Sequence, residues 1–79
     1  MKNYLKHITI EPGKRSGQPC IRGLRITVYD ILSYLSAGDS IQDILHHFPM
    51  LTRKDILASL AYAADAEKRI MREASTTTK

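Results

Sequence analysis

Between Lys14 and Arg25 the chain reads KRSGQPCIRGLR, with Lys14, Arg15, Arg22 and Arg25 set among Gly17 and Gly23. Cations beside glycines can cradle a phosphate, but that chemistry asks for G-x-x-x-x-G-K-[ST] or G-x-G-x-x-G opening a helix, and neither pattern occurs. Two readings remain for these side chains. They contact DNA phosphates and bases, or clasp an acidic protein surface, from an exposed ribbon. Alternatively, they bond the turns and carbonyls of their own domain, as most charged side chains without a specific task do. A second group, Thr52, Arg53 and Lys54, places a hydroxyl and two cations side by side. His46 and His47 are adjacent, so on a helix they point about 100° apart and do not share one ion. No C-x-x-C or H-x-x-x-H spacing joins them to His7 or Cys20, and cations at the end of a helix are the better reading. Cys20 lies in an apolar stretch without a base beside it in sequence, and no carboxylate pair or Ser/His/Asp grouping stands out. The chain reads as a binding protein, not an enzyme, with no cofactor and no metal.

The elements that must position these residues announce themselves by a repeated phrase: TVYDIL from Thr27, SIQDIL from Ser40 and TRKDIL from Thr52. A hydroxyl followed three places later by a carboxylate marks a helix start, because the hydroxyl accepts from an orphan amide and the carboxylate suits the positive end of the dipole. Aspartate is shorter than the usual Glu or Gln of this box, so a weaker reach back to the cap amide is expected. Val28, Ile31, Leu32 and Leu35 form the first apolar stripe, and Gly38 can close that helix near Ala37. Ile41, Ile44, Leu45 and Phe48 form the second, stopped at Phe48 by Pro49. The third carries Ile56, Leu57, Leu60, Ala63 and Ala64 and runs toward Ile70 and Met71. Starts 13 and 12 residues apart are too close for a solenoid unit, whose period is about 20–50 residues.

Ahead of the helices the pattern changes to alternating β-branched residues broken by Gly and Pro. Ile8–Ile10 reads as a strand, and Cys20–Arg22 with Arg25–Thr27 reads as a hairpin about a II′ turn at Gly23-Leu24. The expected architecture is therefore mainly α: a three-helix bundle over residues 27–73 with a helix-turn-helix-like unit, preceded by a short N-terminal β ribbon over residues 1–26. Residues 1–74 form one domain and 75–79, STTTK, a disordered tail. Such a ribbon leaves Ile8, Ile10 and Ile21 poorly covered in one copy, which points to a homodimer.

Cys20 is the only cysteine among 79 residues, which closes the disulfide route to stability. No apolar run is long enough for a membrane span or a signal peptide, so a cytoplasmic protein is expected. Charge divides unevenly: residues 1–25 carry six basic side chains against Glu11 alone, and residues 26–79 carry six basic and seven acidic. An acidic partner would be met by the N-terminal segment.

The second and third helices, separated by Pro49-Met50-Leu51, have the order of a helix-turn-helix unit, in which Thr52, Arg53 and Lys54 would reach base edges. On helix three the apolar side centres on Ile56, Leu60 and Ala64, leaving Lys54, Ala58, Tyr62, Asp65 and Arg69 opposite and exposed. That face is mixed in charge, so three-helix packing with no DNA role stands beside the DNA reading.

The run of Gly17, Pro19, Ile21, Gly23, Arg25, Ile26 and Val28, then Gly38, Ile41, Ile44 and Pro49, then Leu51, Thr52, Asp55, Ile56, Leu60 and Tyr62 resembles a small prokaryotic family, the domain of unknown function numbered 433. The resemblance covers Ile8 to about Ala64. Leu24 stands where a Thr is often found, and His47-Phe48 where an acidic or polar residue and Tyr are common. The resemblance implies a β ribbon on a helix-turn-helix-like bundle, and an antitoxin-like protein of a type II toxin–antitoxin pair. Such a protein would bind a small PIN-type nuclease and, as a second ligand, operator DNA. The alternative is a stand-alone DNA-binding transcriptional regulator without a toxin partner.

Overall fold

The computed structural model describes residues 3–77, with side chains from 4 to 69. Chain order runs from a 3-10 turn, Asn3–Lys6, through strand β1, Ile8–Ile10, and strand β2, Pro19–Ile21, to helices α1, Val28–Ser36, α2, Ile41–His47, and α3, Arg53–Thr77. The molecule is mainly α with a two-stranded antiparallel sheet at its N-terminal end, in the register Ile8 to Ile21, Thr9 to Cys20 and Ile10 to Pro19. Helix α3 continues past residue 74, where a disordered tail was expected to follow; residues 78–79 lie outside the described residues, as do the side chains of Ile70 and Met71. Among the described residues no helix is long and apolar enough to cross a membrane.

All three helix starts carry the full reciprocal box. Thr27, Ser40 and Thr52 accept through their hydroxyls from the amides of Asp30, Asp43 and Asp55 at 2.9, 3.1 and 3.2 Å. The three carboxylates accept from the cap amides at 3.0, 2.9 and 2.9 Å. The expected weakness of aspartate in this role is thus corrected: the shorter side chain reaches. Helix α1 ends in a Schellman motif, with Gly38 at φ 104, its amide donating to Leu35 and the Asp39 amide donating to Tyr34. Helix α2 stops before Phe48, whose ring meets Tyr34 edge-on at 5.6 Å.

One core joins every element: Tyr4, Ile8, Ile21, Val28, Ile31, Ile44, Leu51, Ile56 and Ala58 are buried together. Ile8 and Ile21 are therefore covered within a single copy, against the expectation that they need a second one; Ile10, 57% exposed, is not. The hairpin also differs from its expected form. The left-handed residues are Arg22, φ 45, and Gly23, φ 74, so the turn lies one residue early with the positive-φ pattern of type I′. The return segment pairs only through Ile21 with Ile26 and the bridge of Cys20 with Thr27, and β2 instead takes β1 as its strand partner.

Helix α3 is rotated from its expected facing. Asp55, Ile56, Ala58 and Ser59 are buried, whereas Leu57, Leu60, Ala61 and Ala64 are exposed. The cause is the N-terminal 3-10 turn: Tyr4 packs edge-on against Tyr62 at 5.5 Å and donates its hydroxyl to Asp65 at 2.6 Å. It thereby covers the side that periodicity assigned to solvent.

Candidate functional site

Three of the ribbon's basic side chains, Lys14, Arg15 and Arg22, bond to their own domain. Lys14 donates to the Gly23 carbonyl and sits 3.6 Å from Glu11. Arg15 donates to the Arg25 carbonyl at 2.6 Å and to Asp30 at 3.2 Å. These bonds hold a tight turn, Arg15–Gly17, in which all three residues have positive φ: 50, 59 and 78. Left-handed backbone costs a non-glycine residue about 1–2 kcal/mol, and the two guanidinium contacts offset part of that at Arg15. Of Lys14, Arg15, Arg22 and Arg25, only Arg25 has a side chain with no hydrogen-bond or ion-pair partner among the described residues.

Arg22 reaches further. Its guanidinium spans Asp55 on α3, with Nε at 3.1 and 3.3 Å from the two carboxylate oxygens and Nη2 at 3.0 Å, and Nη2 also donates to the Met50 carbonyl at 2.7 Å. His7 Nδ1 donates to the same carboxylate at 2.7 Å. Asp55 is thus a fully buried charge bound by Arg22 from the ribbon, His7 from the segment before β1, and the Thr52 amide of its own helix. Burial alone would push its pKa up, but the bonds from Arg22, His7 and Thr52 outweigh that and hold it at about 2. The same pair raises the pKa of Arg22 through its bond to Asp55. Ser59, also buried, donates back to the Asp55 carbonyl at 3.1 Å.

This cluster is the polar joint between ribbon and helices, and sequence reasoning missed it. Asp55 was visible as a cap, but its signal as an ion-pair centre lay in three-dimensional proximity: Arg22 and Asp55 are 33 residues apart. The arrangement ties the ribbon to the start of α3. Among the described residues no group of three His, Cys, Asp or Glu could hold a metal ion. Cys20 is buried, with its thiol 3.3 Å from the Gln18 carbonyl. His46 and His47 occupy the last turn of α2.

Further cations without a partner among the described residues lie along α3. Thr52 is committed to the cap, but Arg53 and Lys54 are exposed on the first turn and have no hydrogen-bond or ion-pair partner among the described residues. The structure therefore separates the six cations of the candidate site into two sets. Lys14, Arg15 and Arg22 are bonded within the domain, while Arg25, Arg53 and Lys54 have no such bond among the described residues. Two lysines that sequence reasoning did not single out, Lys6 and Lys68, join Lys54 around an open groove of about 850 Å³ between the 3-10 turn and α3. The signal for Lys68 was the 3-and-4 spacing of Lys54, Leu57, Ala61, Ala64 and Lys68; nothing in the sequence marked Lys6.

Residues 8–63 match the family described as protein of unknown function DUF433. The chain belongs to the DUF433 family. A crystal structure of a DUF433 member from Anabaena variabilis superposes with a TM-score of 0.75 at 33% identity, covering 90% of this chain and 74% of that one. The uncharacterized protein y4eO of Sinorhizobium fredii is 34% identical over 56 residues, which is 71% of this chain. The chain spans 25% of the length of that relative. The DUF433 match begins at Ile8 and so takes in β1, both ribbon turns and the Arg22–Asp55 pair; it ends within α3.

Proposed function

We propose that this DUF433 protein is an antitoxin-like binding protein that partners a small PIN-type nuclease and holds operator DNA on the first turn of α3. The observation that carries the DNA contact is the free, exposed pair Arg53 and Lys54, at the start of the second helix of a helix-turn-helix-like unit. In that geometry the N-terminal side chains of the second helix meet base edges, and a bidentate arginine contact discriminates by about 1–3 kcal/mol. Arg25 supplies a further phosphate contact in place of the ribbon cations that are tied down. The nuclease partner is what the family resemblance implies. A homodimer completes the reading, with the 57%-exposed Ile10 on β1 and the 70%-exposed Tyr29 on α1 as the surfaces it would cover.

Affinity capture of the tagged full chain from extract of its own cells tests both halves. A co-purifying nuclease together with a discrete duplex DNA is the expected result. DNA without a nuclease would replace this reading with the stand-alone regulator. Capture of neither would overturn it.

A further inference from the structure

The groove between the N-terminal 3-10 turn and α3 has a composition that its packing role leaves unused. Its floor is Leu57, Ala58, Ala61 and Ala64, and Lys6, Lys54 and Lys68 stand around it. Leu57 is 46% exposed, and Ala61 and Ala64 also lie open. None of the three lysines has an ion-pair or hydrogen-bond partner among the described residues. The acidic lining residue, Asp65, accepts from Tyr4.

Lys54, Leu57, Ala61, Ala64 and Lys68 follow steps of three, four, three and four, the spacing of a seam that faces another helix along its length. Short side chains in the middle let a second backbone approach to the 8–10 Å at which helices interlock. The lysines at either end of the seam are about 21 Å apart along the axis, or close to four turns. We propose that this groove docks an acidic amphipathic helix of a partner protein, its apolar stripe on Leu57, Ala61 and Ala64 and its carboxylates against Lys6, Lys54 and Lys68. The inference shares Lys54 with the DNA reading but needs no contact by Arg53.

Charge selects this occupant over the alternatives. An antiparallel second copy centred on Ala61 would set Lys54 against Lys68 and Arg53 against Arg69, and a parallel one would set each lysine against itself; like charges so placed oppose the pairing. Duplex DNA would satisfy the lysines but leave Leu57 and the alanines against phosphate, where apolar surface gains nothing.

The test uses the full chain and a fluorescent helical peptide of about three heptads with leucines at the seam positions and glutamates flanking them. Its counterpart carries lysines in place of the glutamates. The acidic peptide is expected to bind at least about tenfold more tightly than the basic one, and Lys68→Glu and Ala61→Glu are each expected to weaken it by about tenfold while leaving the circular dichroism unchanged. Both substituted residues are exposed on a helix, and neither belongs to the DNA-contacting turn, so these variants should keep any Arg53-dependent gel shift. Equal binding of the two peptides would overturn the proposal, as would acidic-peptide binding indifferent to Lys68→Glu. Conversion of a dimer to a monomer by Ala61→Glu would assign the groove to a second copy, and a Lys68-dependent gel shift without peptide binding would assign it to DNA.

Discussion

Removing Arg22 should harm the protein more than neutralising its partner Asp55. The carboxylate is fully buried while the guanidinium is 40% exposed, so Arg22→Ala strands a charge inside, whereas Asp55→Asn removes it. Breaking a buried pair from one side costs about 3–5 kcal/mol, and the remaining donors from His7 and Thr52 bring the expected loss to the low end of that range. Asp55→Asn should cost about 1–2 kcal/mol, since the amide oxygen can still accept at the cap. The double variant should then be more stable than Arg22→Ala alone, which urea unfolding of the three proteins would check. Acid supplies a second measurement. With a folded pKa of about 2 against about 4 unfolded, Asp55 binds its proton more readily in the unfolded chain. Its stabilisation of about 2 kcal/mol is present above pH about 4 and is lost as pH falls toward 2. The stability gap between wild type and Asp55→Asn should close across that window in pH-dependent melting curves. The Asp55 cap was legible because a box is local in sequence, but its ion pair was not, because nothing in the spacing of Arg22 and Asp55 reports their meeting.

The same division recurs in the elements. Helix starts and stops were legible because caps, Gly38 and Pro49 act on their immediate neighbours. The Ser40 cap is the cleanest to test, since Ser40 is exposed and its hydroxyl bonds only the Asp43 amide. Ser40→Ala should cost about 1 kcal/mol and lower the melting temperature by about 4–8 °C in calorimetry. The ribbon turn was displaced by one residue because a left-handed arginine is a poor choice locally, and Arg22 is held there by its bonds to Asp55 and Met50. The facing of α3 was misjudged for a related reason. Periodicity ranks Leu60 above Ala58 for burial, but the packing of Tyr4 on Tyr62 decides which side is covered.

For the whole molecule, part of the excess positive charge of the N-terminal segment is engaged inside the domain. With Lys14, Arg15 and Arg22 bonded to carbonyls and carboxylates, the cations without a partner among the described residues include Lys6, Arg25 and those on the outer side of α3. In gel shifts at two salt concentrations, Arg53→Ala should lose about 1–3 kcal/mol on the preferred DNA and little on other sequences. Arg25→Ala should weaken all sequences and reduce the salt slope by about one. Arg22→Ala, measured below its unfolding range, should leave that slope unchanged; a reduced slope would return Arg22 to the DNA surface. Light scattering at micromolar concentration should give a dimer that Ile10→Lys converts to a monomer. A monomeric wild type would leave Ile10 simply exposed.

Because one carboxylate both opens α3 and receives Arg22 and His7, the ribbon has no way of peeling off quietly. Its departure would leave Asp55 charged and stripped of two donors at the moment the helix start lost its setting, so ribbon and helix separate as one cooperative event. A ligand gripping the first turn of α3 therefore also tightens the strands on the far side of that joint, and amides in β1 and β2 would slow their exchange with solvent though nothing touches them.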